Sequence, residues 1–302
     1  MKAIVLYGGA DPRAKPHVLM VRGSTTRPVG GTSMDLSVRR VAVLVDGRVV
    51  VQTTNGQFFL AGQRDLEPLG LRAQAQAQVV ADAVRPVVWI GTEAGAVLRL
   101  DPTARTLDTV WPSGDPPVTA LAAEDGRILV GRGEGSLEVG GADGPRRVIA
   151  RFPGSVRAVA LSGDLVAALG PGHLAVLRLG PDGPTLVHLS LVAPTRNLAF
   201  LRAGEGLPLV ARCQVTREDD MGTIATPRLL VTSLDPDVAG AEMAFDPWPV
   251  PGGGPASPWT LRDVHALRPA DDGRSVDLVV AAEGALRVVD VDVRPLPSGG
   301  GR

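Results

Sequence analysis

Cysteine, lysine and aromatic residues are all scarce in this chain of 302 residues. Cys213 is the only cysteine, which excludes an intrachain disulfide. The two lysines, Lys2 and Lys15, stand against 29 arginines. Together with abundant alanine, glycine, valine and proline, this bias is typical of the coding composition of GC-rich bacteria, and we expect a bacterial source.

Long apolar runs are missing too. No stretch approaches the ~18 apolar residues that a transmembrane helix needs, and the run Ala3–Tyr7 is too short for the core of a secretory signal. We therefore expect a cytoplasmic protein that does not enter a membrane. The formal net charge of −1 leaves no basic excess for binding phosphates, so nucleic acid is a poor candidate for the main partner.

A strand-rich unit recurs along the chain. Val88–Asp101, Ile128–Gly140 and Val166–Gly180 each contain an apolar strand, a glycine-centred turn and a second apolar strand. Units of this kind that recur every ~40–45 residues are typical of β-propeller blades. The turn glycines of the first four copies are spaced 39, 40 and 37 residues apart, and a later copy follows: Gly56, Gly95, Gly135, Gly172 and Gly284.

Each repeat divides into four strands separated by turn dipeptides such as Asn-Gly and Asp-Gly, which supply the positive φ angles of tight hairpins. The strands are often apolar on both sides, as expected where neighbouring blades cover both faces of a sheet. Near the axis the blades converge, and we expect glycines where a side chain would clash with the next blade. In the second repeat the predicted strands are Ala77–Ala83, Val87–Thr92, Ala96–Asp101 and Arg105–Trp111.

One segment of the second repeat has a conflicting signal. Leu71–Val84 is rich in helix formers, and by itself it predicts a short helix. The repeat instead predicts that its second half is the inner strand of a blade, and this is the interpretation we adopt.

The sequence predicts an all-β fold: a single β-propeller of four-stranded blades, six in number, with seven as the alternative. We expect residues 1–295 to form the propeller and residues 296–302 to be a flexible tail. The N-terminal segment 1–38 helps to close the ring by pairing with the last blade, which removes exposed sheet edges. The fifth and sixth repeats are longer than the others, and we expect insertions at Gln214–Pro227 and Asp246–Pro258.

Two segments carry a resemblance to known propeller families. VWIGTEAGAVLRLDPTARTLDTV (residues 88–110) resembles the propeller repeats of bacterial sensor proteins. VRAVALSGDLVAALGPGHLAVLRL (residues 156–179) resembles a WD40 repeat. The similarity is good over residues 39–192 and implies a divergent WD40-like propeller, a fold that predicts architecture better than activity.

The residues that mark the WD40 family are missing. The chain has no Trp-Asp dipeptide, and its one Gly-His pair, Gly172-His173, lies in a turn where the family does not place it. The hydrogen-bonded Asp-His-Ser-Trp network of that family is therefore not assigned to any residue here.

No motif indicates catalysis, a metal or a cofactor, and we assign none. The segment 131–135 (GRGEG) resembles a phosphate-binding loop, but a strand follows it where a phosphate loop needs a helix N-terminus, so a hairpin turn is favoured. Cys213 adjoins an apolar strand and is interpreted as a buried small residue. The four histidines lie far apart in the sequence: His17, His173, His188 and His265.

The two expected insertions hold the candidate partner-binding residues. Phe245, Trp248 and Trp259 flank a loop rich in proline and glycine, and aromatic residues on loops often anchor a partner. Covering a blade edge is their alternative role. The acidic run at positions 218–220 is a weaker candidate for a basic partner surface or calcium, because it lacks the alternating spacing of a calcium loop and a solvated loop is the favoured interpretation. Its residues are Glu218, Asp219 and Asp220.

Three functions compete. The leading hypothesis is a non-catalytic propeller that binds proteins, as one subunit of a bacterial multi-protein assembly. The first alternative is a small-molecule sensor that binds its ligand in the axial channel. The second is a propeller enzyme, such as a lyase, lactonase or glycosidase, whose site would gather acidic and imidazole groups at the axis.

Overall fold

The computed structural model describes residues 38–61, 66–74, 76–142 and 144–191, and beyond these ranges the backbone of the strands named below. All regular elements among the described residues are β-strands, which confirms the predicted all-β class. In this part of the chain there is no helix with the length and hydropathy to cross a membrane. The chain divides into two compact units, one of Pro28–Leu198 and one of Met1–Arg27 with Ala199–Arg302.

The N-terminal region contributes three short strands: β1 (Lys2–Leu6), β2 (His17–Arg22) and β3 (Thr26–Val29). The first two form an antiparallel pair in which Ile4 lies opposite Leu19.

Residues 38–191 form four antiparallel sheets of four strands each, which we call blades 1 to 4. In every blade the strands are adjacent in the order in which they occur in the chain. Blade 1 contains β4 (Val38–Val43), β5 (Val49–Thr53), β6 (Gln57–Ala61) and β7 (Leu66–Arg72), and blade 2 contains β8 (Gln78–Ala81), β9 (Val88–Gly91), β10 (Val97–Asp101) and β11 (Thr106–Trp111). Blade 3 contains β12 (Val118–Glu124), β13 (Arg127–Arg132), β14 (Ser136–Gly141) and β15 (Arg147–Arg151), and blade 4 contains β16 (Ala158–Ser162), β17 (Leu165–Gly170), β18 (His173–Gly180) and β19 (Gly183–Leu191).

The other described strands belong to two further sheets. One has three strands, β20 (Asn197–Ala203), β21 (Leu207–Arg217) and β22 (Ala225–Ser233). The other joins both ends of the chain, because β2 pairs with β25 and places Val21 opposite Val293. Its C-terminal strands are β23 (Asp263–Pro269), β24 (Ser275–Ala282) and β25 (Ala285–Pro295).

The hydrophobic core of residues 38–191 is divided among the spaces between consecutive blades. One cluster joins blades 1 and 2 around Phe58 and Ile90, a second joins blades 2 and 3 around Trp89 and Trp111, and a third joins blades 3 and 4 around Leu129. Successive residues of β9 enter different clusters, since the side chains of a strand alternate between its two faces. This explains why the strands are apolar on both sides.

The predicted turn glycines occupy equivalent positions in the four blades. Gly56, Gly95, Gly135 and Gly172 each lie between the second and third strands, with φ angles of +83°, +82°, +99° and +72°. These angles fall in the left-handed region that favours glycine. Gly284 lies outside the described residues.

Two other glycines are required by close approach of the next blade. A Cβ atom on Gly91 would lie 2.2 Å from Val118 Cγ1, and one on Gly131 would lie 2.5 Å from Val156 Cγ1. Each valine stands at the start of the following blade. The expectation that convergence of the blades demands glycine is confirmed at these positions.

The segment with the conflicting signal is resolved in favour of the repeat. Leu71 and Arg72 end β7, and the later part of Leu71–Val84 contains the first strand of blade 2, which pairs with β9 along four residues. The strand interpretation is confirmed, and no helix is present in the described part of this segment, because the apolar positions of β8 pack into the clusters on both sides of the blade.

The insertion expected at Gln214–Pro227 is shorter than predicted. Gln214 to Arg217 end β21, Ala225 to Pro227 begin β22, and the two strands pair as far as Arg217 and Ala225. The polar residues that suggested a loop alternate with Val215 and therefore suit a strand. The insertion expected at Asp246–Pro258 lies outside the described residues.

Candidate functional site

The candidate partner-binding residues fall outside the part of the chain that the structure describes. The acidic run stands in the sequence between the end of β21 and the start of β22, and the aromatic residues stand between β22 and β23. Their role stays a prediction. The residues concerned are Glu218, Asp219, Asp220, Phe245, Trp248 and Trp259.

Among the described residues, a buried carboxylate joins blade 2 to blade 3. Asp82 directly follows β8, and only 1% of its surface is exposed. Its two oxygens accept five hydrogen bonds, two of them from the turn between the first two strands of blade 3. The donors are the backbone N–H groups of Val84 (2.9 Å), Arg85 (3.0 Å), Asp125 (2.9 Å) and Gly126 (2.9 Å), and Trp89 Nε1 (3.1 Å).

Burial and hydrogen bonding act in opposite directions on Asp82. Burial alone raises the pKa of its carboxyl, but the hydrogen bonds from the neighbouring backbone and from Trp89 outweigh it and hold the pKa below its usual value. The carboxylate is therefore charged at neutral pH. It accepts hydrogen bonds from the N–H groups of a turn in which Asp125 itself has a positive φ of 51°.

The same kind of contact recurs one blade later. Glu124 ends the first strand of blade 3, and its Oε2 accepts a hydrogen bond of 2.7 Å from the N–H of Gly163, in the corresponding turn of blade 4. Arg127 donates to the same Oε2 atom at 2.9 Å and also to the carbonyl of Gly163. In both blade 2 and blade 3, an acidic residue at or just after the end of the first strand is therefore hydrogen-bonded to a turn of the following blade.

A buried guanidinium joins blades 2 and 3 at the opposite end of the sheets, where the second strand meets the third. Arg132 ends β13 and is 0% exposed. Its N–H groups donate to two backbone carbonyls, one in blade 2 and one in the connection between blades 2 and 3, and to two carboxylates. The acceptors are Gly95 O (2.7 Å), Pro116 O (3.0 Å), Glu138 Oε2 (3.0 Å) and Asp115 Oδ2 (3.4 Å).

The edge of this cluster is formed by Arg146, which pairs with Asp115. The hydrogen bond to that carboxylate raises the pKa of Arg146 further above its already high ordinary value. Its guanidinium carbon also lies 5.9 Å from the centre of the Trp111 ring, within reach of a cation–π contact. Trp111 Nε1 donates to Gly141 O at 3.3 Å, which adds one more hydrogen bond between blades 2 and 3.

The glycine-rich segment 131–135 is a hairpin turn, as favoured from the sequence. β13 enters it, β14 leaves it, and Gly135 N donates to Arg132 O at 3.1 Å across the turn. The arginine inside this segment is the residue that sequence reasoning missed. The available signal was its position three residues before the turn glycine, where blades 1 and 2 have threonine, at Thr53 and Thr92.

Histidine and cysteine form no cluster among the described residues. His173 Nδ1 lies 2.8 Å from the carbonyl of Pro171, at the turn before β18. His188 lies in β19, where burial lowers its pKa. Cys213 lies in β21, and the backbones of His17 and His265 lie in β2 and β23. Within the described part of the chain no group of three histidine, cysteine or acidic residues is placed to hold a metal ion.

The outer strand of blade 4 exposes several large apolar side chains. Leu186 is 55% exposed, Leu189 58% and Val187 40%. β19 is the last strand of its sheet, so one backbone edge is not paired within the blade. Exposed apolar side chains on an open strand edge are suited to contact with another polypeptide.

Neither a protein-family profile nor a curated protein sequence matches the chain. Solved structures of WD40 proteins resemble it in fold. The WD40 repeats of RRP9 align with a TM-score of 0.54 and 12% identity, over 91% of this chain and 100% of that one. U3-55K aligns with a TM-score of 0.56 and 13% identity, over 88% and 98% of the two chains. Taken with the repeated four-stranded blades, this likeness shows that the chain has the fold of a divergent WD40-like β-propeller.

Proposed function

We propose that this chain is a non-catalytic scaffold that binds other proteins, as a cytoplasmic subunit of a bacterial multi-protein assembly. The observation that carries the proposal is the exposure of Leu186, Val187 and Leu189 on the outer strand of blade 4. Apolar side chains collected on one open edge favour association with a partner.

The buried charges support this proposal. Asp82 and Arg132 are 1% and 0% exposed, and their hydrogen bonds go to neighbouring turns, strands and connections. In this arrangement they stiffen the frame on which surface loops and outer strands are displayed. A rigid frame lowers the entropy cost of binding a partner, because the contact residues are already ordered.

We also propose that residues 1–295 form one six-bladed ring, with the N-terminal segment 1–38 helping to close it and residues 296–302 as a tail. The pairing of β2 with β25 supports this arrangement, since it joins the first and last parts of the chain in one sheet. A closed ring leaves no unpaired blade at either end.

Purification of the tagged protein from its native cells, after mild crosslinking, tests the scaffold function. We expect another protein to be recovered in a fixed ratio and to stay bound through size-exclusion chromatography. The matched control is the same purification with the tagged chain unfolded and the crosslinker quenched beforehand, which identifies proteins that adhere non-specifically. Recovery of the chain alone, at concentrations found in the cell, would contradict the proposal.

A further inference from the structure

The outer strand of blade 4 differs in charge from those of the other three described blades. Charged side chains and prolines on an edge strand discourage the addition of a further strand. β19 has nine residues, none of them charged, and its one proline stands beside the turn at its start. The other outer strands, β7, β11 and β15, each contain charge: Glu67 and Arg72, Asp108, and Arg147 and Arg151.

The exposed leucines of β19 lie on the face directed toward blade 3. Leu186 pairs with Leu177, and Leu189 pairs with Ala175. Directly paired residues share a face of the sheet, and Leu177 belongs to the cluster between blades 3 and 4. Their exposures of 55% and 58% show that this cluster ends before the outer edge of the blade.

An arginine of blade 3 faces the same space. Arg147 pairs with Val139, which belongs to the same cluster between blades 3 and 4, so Arg147 projects from the face directed toward blade 4. The outer strands β15 and β19 contact each other. Arg147 is exposed, and no described residue forms an ion pair with it. The space between the two outer strands therefore has an apolar side and a positively charged side.

We propose that β19 accepts an extended segment of a partner protein as a fifth strand, and that this segment carries apolar and acidic side chains on one face. Addition to an open strand edge gives main-chain hydrogen bonds, and the side chains give specificity. The apolar side chains cover Leu186 and Leu189, and the acidic one reaches Arg147. This inference rests on the proposed scaffold function and names the chemistry of the partner.

The charge of Arg147 favours such a partner over a second copy of this chain. A second β19 would supply apolar side chains but no carboxylate, since the strand contains no acidic residue. Arg147 would then be covered without a counter-charge, which disfavours the contact. The observations therefore favour an acidic segment of another protein.

The test uses the full-length protein and a labelled nine-residue peptide in which threonine alternates with valine and one glutamate. The comparison peptide has lysine in place of the glutamate. Fluorescence anisotropy is expected to show binding about tenfold tighter for the glutamate peptide. Hydrogen exchange is expected to slow at the amides of β19 when that peptide is bound.

Two variants and one matched control locate the site. Arg147→Glu should reverse the preference between the two peptides. Leu189→Lys should weaken the binding of both peptides by about tenfold, because a charged side chain on the edge strand discourages the addition of another strand. Leu189 is more than half exposed, so the thermal unfolding of the variant should match that of the unchanged protein. Thr109→Lys introduces the same side chain at an exposed position on the outer strand of blade 2 and should leave binding unchanged.

Equal affinity for the two peptides, or protection away from β19, would overturn the inference. Protection of β19 that grows with protein concentration in the absence of peptide would overturn it in favour of self-association. The scaffold function is judged separately: a Leu189→Lys protein that still recovers its cellular partner in the same ratio keeps the scaffold and rejects β19 as its binding edge.

Discussion

Asp82 and Gly126 are 44 residues apart in the chain, yet Asp82 Oδ2 accepts a hydrogen bond of 2.9 Å from the N–H of Gly126. The carboxylate belongs to blade 2 and the amide to blade 3. Because Asp82 is buried, the amide has no access to water that could replace the bond. The contact therefore makes a turn of one blade depend on a side chain of the blade before it.

Replacement of Asp82 by alanine should lower the free energy of unfolding by about 3 kcal/mol, because buried N–H donors lose their acceptor. Urea unfolding followed by tryptophan fluorescence measures the change. The control is Asp108→Ala, which removes an exposed ion pair with Arg99 and should cost less than ~1 kcal/mol. Equal losses in the two variants would contradict a special role for the buried carboxylate.

Acid should remove the contribution of Asp82. Its folded pKa lies below the ordinary value of 3.8, so its contribution is present above that value and is lost as the pH falls through the folded pKa. The difference in unfolding free energy between the unchanged protein and Asp82→Asn should be largest near about pH 6 and should shrink below about pH 4. Urea unfolding at stepped pH measures it. A difference that stays constant down to about pH 3 would be inconsistent with this account.

Gly131→Ala should destabilise the protein by roughly 1–3 kcal/mol, because its new methyl group would overlap Val156 of the next blade. Gly133→Ala is the matched control, two residues away in the same hairpin, where a Cβ atom would meet nothing closer than 3.8 Å. That variant should change stability by less than ~1 kcal/mol. Thermal unfolding of both variants tests the prediction, which fails if the control loses as much as Gly131→Ala.

Trp248→Ala tests the aromatic loop predicted from the sequence. If Trp248 anchors a partner, its truncation should weaken partner capture by about 2 kcal/mol and leave thermal unfolding nearly unchanged. Capture is measured by titrating the purified partner against immobilised protein. A large fall in melting temperature would place the side chain in the core, and unchanged binding would place the interface elsewhere.

The strands of blades 2 to 4 were predictable because the repeat places each one at a fixed distance from a turn glycine. Gly95 and Gly135 therefore predicted the four strands on either side of them, and the structure confirms these strands. The repeat also outweighed the helix propensity of the segment before Val84. Periodicity carries this information because every blade must bury the same positions.

The contacts of Asp82 and Arg132 could not be predicted in the same way. Each side chain meets a blade other than its own, and backbone groups, which leave no trace in the sequence, are most of the partners of Asp82 and half of those of Arg132. Asp82 stood in a segment with mixed helix and strand signals, and Arg132 stood in a glycine-rich turn. The exposure of Leu189 is hidden for a related reason, since the sequence of β19 does not show where the cluster between the blades ends.

The guanidinium of Arg132 has a consequence for any attempt to divide this chain into fragments. A cut after Pro116 would leave the carbonyls of Gly95 and Pro116 without their donor on one side, and on the other side it would leave Arg132 with Glu138 as its remaining acceptor. The same cut would separate Asp82 from the turn at Gly126. We therefore expect the two blades to unfold as one cooperative block, and fragments that end between Trp111 and Val118 should be far less soluble than those that keep both blades.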